Sequence, residues 1–275
     1  MLAGVFAAEL VVTVAVFAFP ARDVPAAPSA APHADVPPAV VTVGDRTVHL
    51  HSLGGPAADH LLSRIAADIG AAIDAVVAFW GPDWSRDVVV VAAGTRDQFL
   101  SAAGGPASQW EDIAAVTLVE SVDPVSRRVA GQRIMFAPEA GRMHAGALRI
   151  VLRHELFHYA ARADTALDAP RWLTEGVADF VARPVEQVPA GVVRSTMALP
   201  SDADLDTPGE QRSLAYDRSW LFARFVADVY GPDKLRGLYL AACGVGHTDL
   251  PPALRSVLGI GADEVLERWR EWLGR

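Results

Sequence analysis

The chain has 275 residues, 51% of them hydrophobic and 21% charged, enough for one substantial core or two small lobes. Its net charge of −9 argues against the basic face that a nucleic-acid partner would favour, so no nucleic-acid partner is expected. Cys243 is the one cysteine, which excludes an intrachain disulfide, and its setting in Tyr239-Leu240-Ala241-Ala242-Cys243 reads as a small core residue.

Residues Leu2 to Phe19 are almost wholly apolar, interrupted by Glu9 and Thr13. A run of that length just reaches across a bilayer. Glu9 near its middle would cost about 2.5–3.5 kcal/mol to insert if it behaves as Asp does. No Lys or Arg precedes the run, so the positive start of a signal peptide is missing, and Arg22 follows it. Pro20 to Pro38 is rich in Ala and Pro without a helical period, which is linker composition. Residues 1–19 therefore read as a membrane anchor or an atypical signal segment, and 20–39 as a linker. On that reading the folded part, 40–275, is extracytoplasmic, held at a membrane or secreted.

Val40 to Leu53 alternates and is β-branched at Val41, Val43 and Val48, a strand or hairpin with a turn at Gly44-Asp45. His49 and His51 share one face of it and read as paired surface histidines. Pro56 to Trp80 carries Leu61, Leu62, Ile65, Ile69, Ile73, Val76 and Val77 at helical spacing, and Gly81-Pro82 stops it. Val88 to Ala92 is a continuous apolar strand. Thr95 is the N-cap of a short helix that runs to Ala103. Ile113 to Val119 and Gln132 to Phe136 read as two more strands joined by a turn around Asp123-Pro124. Residues 40–140 are expected to form a mixed sheet carrying helices.

Arg142 to Arg162 reads as a helix that contains His154-Glu155-Leu156-Phe157-His158. Positions i and i+4 share a helix face, so His154 and His158 aim two imidazoles at one point, the arrangement zinc takes from two of its ligands. The flanks Leu148, Ile150, Val151, Leu152, Leu156, Phe157 and Tyr159 are apolar and imply a buried helix. A buried helix does not carry two histidines and a glutamate without partners, and a metal supplies the partner. A second helix opens at Asp168 or Ala169, with Pro170 near its first turn, and carries Glu175 in Trp172-Leu173-Thr174-Glu175-Gly176-Val177-Ala178-Asp179. Glu175 would be the third ligand, and three protein ligands leave a fourth tetrahedral position for water, as in catalytic sites. The small residues Gly176 and Ala178 would let the two helices approach closely enough to share one ion. Asp179, four residues after Glu175, lies on the same face. Ala182 to Asp206 reads as a loop. A helix starting at Tyr216 follows, with Leu221, Phe222, Phe225, Val226 and Val229 in period, and then helices over Asp233 to Cys243, Leu250 to Leu258 and Ala262 to Leu273. Residues 141–275 are expected as a helical lobe.

The motif at His154 to His158, followed by the Pro-x-Trp-Leu-x-Glu-Gly-x-Ala run at Pro170 to Ala178, resembles the gluzincin zinc metallopeptidases, and among them the small bacterial members described as peptidase MA-like. The metal-site likeness covers Arg142 to Arg183. Sixteen residues separate His158 from Glu175, a slightly short connection for the group. The resemblance implies an α+β, zincin-like fold, with Zn2+ between a sheet lobe and a helical lobe. It implies a peptide or protein substrate, hydrolysed by a metal-activated water with Glu155 as general base and later acid. It implies that Asp179 accepts a hydrogen bond from His154, and that a tyrosine beyond the second zinc helix, Tyr216, stabilises the oxyanion. Tyr159 and His247 are further candidates for that donor. It also implies that an edge strand above the metal pairs with substrate backbone. By position Gln132 to Phe136 is the candidate strand, with Ile113 to Val119 as the other.

A different class of protein would use the same ligands: a membrane-tethered domain that binds zinc and a peptide or protein partner without hydrolysis. Glu155 argues against it, since a pure binding site needs no base. A purely structural zinc site is disfavoured by having three ligands. Because the linker isolates the apolar segment, a chain beginning near residue 40 is expected to be soluble and to unfold cooperatively. Insolubility of that truncation, with a non-cooperative melt, would mean that Met1 to Phe19 packs into the fold.

Overall fold

The computed structural model describes residues 39–110, 113–123, 125–184 and 198–274. The apolar run and linker expected over 1–38, and most of the loop expected over 182–206, lie outside the described residues. No helix among the described residues is long and apolar enough to cross a membrane.

Alternating β-branched residues build the first hairpin. Strand β1 (Ala39–Val43) pairs antiparallel with β2 (Arg46–Ser52) across the Gly44-Asp45 turn, where Gly44 takes a positive φ of 58°. Helix α1 (Pro56–Trp80) follows, burying Leu61, Ile65, Ile69, Ile73 and Val76 along one stripe. It leads to β3 (Asp87–Ala92), which pairs parallel to β2. Helix α2 (Arg96–Ala103) opens with a capping box: Thr95 accepts from the Gln98 backbone, and the Gln98 side chain accepts from Thr95. Next come β4 (Ala115–Leu118), the short pair β5 (Ser121–Asp123) and β6 (Arg128–Ala130), and β7 (Arg133–Phe136). The five-stranded sheet has the order β1-β2-β3-β7-β4, mixed in direction, with β5 and β6 forming a separate antiparallel ribbon.

The period-2 alternation of the strands splits the hydrophobic residues between two cores. Val88, Val90, Ile134, Phe136 and Ala115 face the large core shared with α1 and the later helices. Val91, Met135, Val116 and Leu118 face a second core around Phe99 and Trp110. The sheet order corrects the sequence reading of the edge strand. β7, the strand next to the histidine helix in sequence, is interior because β3 and β4 flank it; β4 is the edge. Chain proximity does not set sheet position, which is decided by non-local pairing.

The rest of the chain is helical: α3 (Ala145–Ala161), α4 (Arg171–Ala182), α5 (Asp202–Asp206), α6 (Glu210–Tyr230), α7 (Pro232–Cys243), α8 (Leu250–Leu258) and α9 (Ala262–Leu273). The molecule is thus α+β, a mixed-sheet N-terminal lobe followed by a helical region. Helix α3 begins at Ala145 rather than Arg142 because His144 is its N-cap, its ring Nδ1 accepting from the Ala147 backbone at 3.1 Å. Helix α6 begins six residues before Tyr216, which places that side chain in its second turn.

Helix α4 has no cap of its own, since Pro170 precedes it. Asp202 supplies one from a distant segment: its carboxylate accepts from the Trp172 backbone at 2.8 Å and from the Arg171 backbone at 3.1 Å. A negative charge at a helix start satisfies orphan amides and meets the positive end of the dipole. Gly176 has a different role from the one its size suggested. A Cβ there would lie 2.4 Å from the Ser219 carbonyl oxygen, so the glycine lets α4 settle on α6 rather than on the histidine helix. Gly176→Ala is therefore expected to destabilise by about 1–3 kcal/mol through overpacking, despite Ala being the better helix former. Denaturant unfolding checks this, and an unchanged or raised stability would show that α4 and α6 can part without cost.

Candidate metal centre

Two helices meet at the centre of the molecule. His154 and His158, one turn apart on α3, face Glu175 on α4, and all three are buried. The Nε2 atoms of the two histidines lie 3.0 Å apart. His154 Nε2 is 3.2 Å from Glu175 Oε2, and His158 Nε2 is 3.5 Å from Glu175 Oε1. Ligands held at about 2.0–2.1 Å around a tetrahedral zinc are separated by roughly 3.3 Å, close to the spacing between each imidazole and the Glu175 oxygen it faces. Two imidazoles and a carboxylate are also the donor types zinc prefers. Glu175 Oε2 is buried, facing His154 Nε2 without a well-formed hydrogen bond, so it is free to take a cation.

Glu155, adjacent to His154 in sequence, is wholly buried as well. The hydroxyl of Thr117, on edge strand β4, lies 2.7 Å from Glu155 Oε2 and 2.9 Å from the Glu155 backbone carbonyl, sharing its one proton between them. The other carboxylate oxygen, Oε1, has no partner. In the metal-free state burial pushes the Glu155 carboxyl up to about 7, against the opposing pull of His154 and Thr117. Burial likewise raises Glu175.

Behind His154, its Nδ1 lies 2.8 Å from Asp179 Oδ1. Asp179 is in turn ion-paired with Arg183 at 2.7 Å, and Arg183 also pairs with Asp217 at 2.7 Å. Burial works to raise Asp179, but Arg183 and His154 outweigh it and hold the carboxylate below its ordinary range. For His154 burial opposes the charged form, yet Asp179 and Glu175 win and raise it to about 10 in the metal-free state. His158 is driven well down, first by burial and then by the positive charges of His154 and Arg162.

A cavity of about 210 Å³ opens on this cluster, with His158, Glu175 and Thr117 on its wall. Sequence reasoning placed four of the side chains that meet here, His154, Glu155, His158 and Glu175, and Asp179 behind them. It missed Thr117, Arg162 and Tyr239. Tyr239, on α7, lines the cavity with its hydroxyl 2.8 Å from Thr165 Oγ1. Arg162 carried a readable signal, four residues after His158 and so on the same helix face. Tyr216 is buried on α6 within the field of Arg171, and is not among the described residues that line the cavity. Tyr159 gives its hydroxyl to the Asp87 carbonyl at 3.0 Å, on the wall of another cavity, and His247 lies 3.3 Å from the exposed carboxylate of Asp168. His49 is 3.3 Å from exposed Asp87.

No protein-family model matches the chain, and no curated protein matches it. Two solved structures share some of its layout. One is a two-domain M1 zinc metallopeptidase, a mutant with L-arginine bound, at 16% identity and a TM-score of 0.46. The other is an M1 zinc metallopeptidase mutant from Deinococcus radiodurans, at 17% identity and a TM-score of 0.43. Each likeness covers 86% of this chain and 50% of the other, so the chain spans half the length of those structures. The case for chemistry at the centre rests on its own side chains.

Two outcomes follow from this geometry. His158→Ala is expected to abolish tight zinc binding, whereas Asp179→Asn, which leaves all three donors in place, is expected to cost roughly 10–100-fold in affinity. Full zinc occupancy of the His158→Ala protein, read by metal analysis, would dismiss the ligand set. The second outcome concerns pH. The metal-free His154 keeps its proton to about pH 10, so zinc must displace that proton. Apparent affinity should therefore rise about tenfold per pH unit on going from pH 6.5 to 8.5 and fall equally as pH drops. Competition against a metal chelator at three pH values measures the slope, and a flat profile would show that no proton is displaced.

Proposed function

We propose that the chain is a zinc-dependent peptidase of the gluzincin type, hydrolysing peptide bonds with Glu155 as general base. The observation that carries the reading is the pairing of two features in one buried space. The donors of His154, His158 and Glu175 stand within 3.0–3.5 Å of one another, and Glu155, buried next to His154 in sequence and held by the cavity-wall residue Thr117, has Oε1 unpartnered. The motif resemblance at His154 to His158 and Pro170 to Ala178 supports it. A zinc ion held there would supply Lewis acidity and a bound water acidified toward neutrality.

The rest is the work of this chain's own residues. Thr117 fixes Oε2 of Glu155 and leaves Oε1 to accept the proton of the attacking water. Having accepted that proton, the same carboxyl can return it to the leaving amine. Asp179 accepts a hydrogen bond from His154 Nδ1–H, which turns the Nε2 lone pair inward toward Glu175. For a donor to the oxyanion, Tyr239 is on the cavity wall, so Tyr239→Phe is expected to lower turnover more than Tyr216→Phe. Edge strand β4, which carries Thr117, is the strand in position to pair with substrate backbone.

Glu155→Gln tests the assignment. Gln has nearly the same shape and Glu155 is not a proposed ligand, so zinc content and melting temperature should stay close to those of the unaltered chain. Hydrolysis of a mixed peptide library should fall by at least 10²–10⁴-fold, the usual worth of a general base. Equal zinc, equal melting and undiminished turnover would remove Glu155 from the mechanism. Equal zinc with no turnover by either protein would leave a metal-binding domain that does not hydrolyse peptides.

A further inference from the structure

The cavity on the metal cluster carries a buried cation, Arg162, that the hydrolytic reading does not use. Arg162 caps the C-terminal end of α3 and is buried, with 5% of its surface exposed. It lines the cavity together with His158, Glu175 and Tyr239. One guanidinium nitrogen donates to the Thr165 carbonyl, while Nε is buried with no partner. Among the described residues no carboxylate is ion-paired with it; the side chains electrostatically linked to it are His158 and Tyr239, the latter neutral at physiological pH.

The other arginines of this region are provided for. Arg183 holds Asp179 and Asp217, each at 2.7 Å. Arg171, which shares the cavity wall, is engaged by Asp206 at 2.5 Å and by Asp202. A buried guanidinium without an acid is costly unless an anion reaches it. Its planar fork matches a carboxylate in particular. Position sets where that anion would sit. Arg162 follows His158 by four residues, so the two side chains share a face with Cβ atoms about 5–6 Å apart, one turn along the helix.

We infer that Arg162 is a substrate-recognition residue that receives a carboxylate one helical turn from the metal ligand His158. The chain would then favour peptides presenting a carboxylate close to the bond held at the metal, either an Asp or Glu side chain or a free C-terminal carboxylate. This deepens the peptidase reading and rests on it, but it can be measured as binding without turnover.

The test uses the zinc-loaded full chain carrying Glu155→Gln, and N-acetylated alanine hexapeptides as probes. One peptide is a C-terminal amide with no carboxylate, one is its free acid, and two sets place Glu or Gln at each position of the amide. Calorimetry is expected to show binding about 10–100-fold tighter for a carboxylate peptide than for its neutral counterpart. A gain for the free acid identifies capture of the C-terminus, and a gain for Glu over Gln identifies an acidic side chain. Adding Arg162→Gln should erase the gap while leaving affinity for the neutral peptide and zinc content unchanged. Arg162→Lys, which keeps the charge without the fork, should retain part of the gap and serves if the Gln variant does not fold. Equal affinities across the set, absence of binding by any peptide, or a gap that survives Arg162→Gln would each overturn the inference. Hydrolysis of the neutral peptide by the unaltered chain without carboxylate preference would keep the peptidase reading and discard this one. A carboxylate preference lost with Arg162, in a chain that hydrolyses nothing, would do the reverse.

Discussion

Two histidines and a glutamate meet where α3 faces α4, and a second glutamate, Glu155, is buried against β4, all with almost no access to water. Burying that many ionisable groups is unfavourable unless each finds a partner, and the pairing on view is incomplete in a specific way. The outer atoms are satisfied: Asp179 meets His154 Nδ1, and Thr117 meets Glu155 Oε2. The inner atoms, Glu175 Oε2 and Glu155 Oε1, are not. A fold that tolerates such a pattern must hold both helices firmly from outside. Asp202 fixes the start of α4, and Gly176 lets it lie directly on the Ser219 backbone. Much of the architecture of the helical region serves to keep Glu175 in reach of α3.

The sheet contributes through one strand. β4 is an edge, but all four of its residues are buried. Val116 and Leu118 anchor it in the core around Phe99 and Trp110, while Ala115 packs into the large core on the opposite face. Held from both sides, the strand can present Thr117 to Glu155 without drifting. The second core, which looks remote from any chemistry, is what makes that presentation rigid.

Features set by local periodicity were legible in the sequence. The hydrophobic stripe of α1, the Gly44-Asp45 turn, the Thr95 cap and the His154/His158 pair each depend on residues within a turn or two of one another. Features that depend on chain segments meeting at a distance were not. The place of β7 between β3 and β4 follows from pairing across more than forty residues, with Val90 opposite Ile134. The cap on α4 comes from Asp202, some thirty residues after Trp172. Tyr239 reaches the cavity because α7 packs back onto the core, and nothing near it in sequence announces a site. The small size of Gly176 signals a close approach, but the neighbour it admits, the Ser219 backbone, is not legible, because periodicity gives a face and not what covers it.

The row of charges behind His154 explains why its imidazole points as it does. A buried carboxylate left alone would take up a proton, and a protonated Asp179 would compete as a donor for His154 Nδ1. Arg183 prevents this by holding Asp179 ionised, and Asp217 in turn balances Arg183 toward the surface. With Asp179 fixed as an acceptor, the proton of neutral His154 belongs on Nδ1 and the lone pair on Nε2, where it faces Glu175. Alternating charge from Asp217 through Arg183 to Asp179 thus decides a tautomer at the centre of the molecule. The same reasoning sets Arg162 apart, since it stands at the cavity with Nε buried and no described carboxylate ion-paired with it.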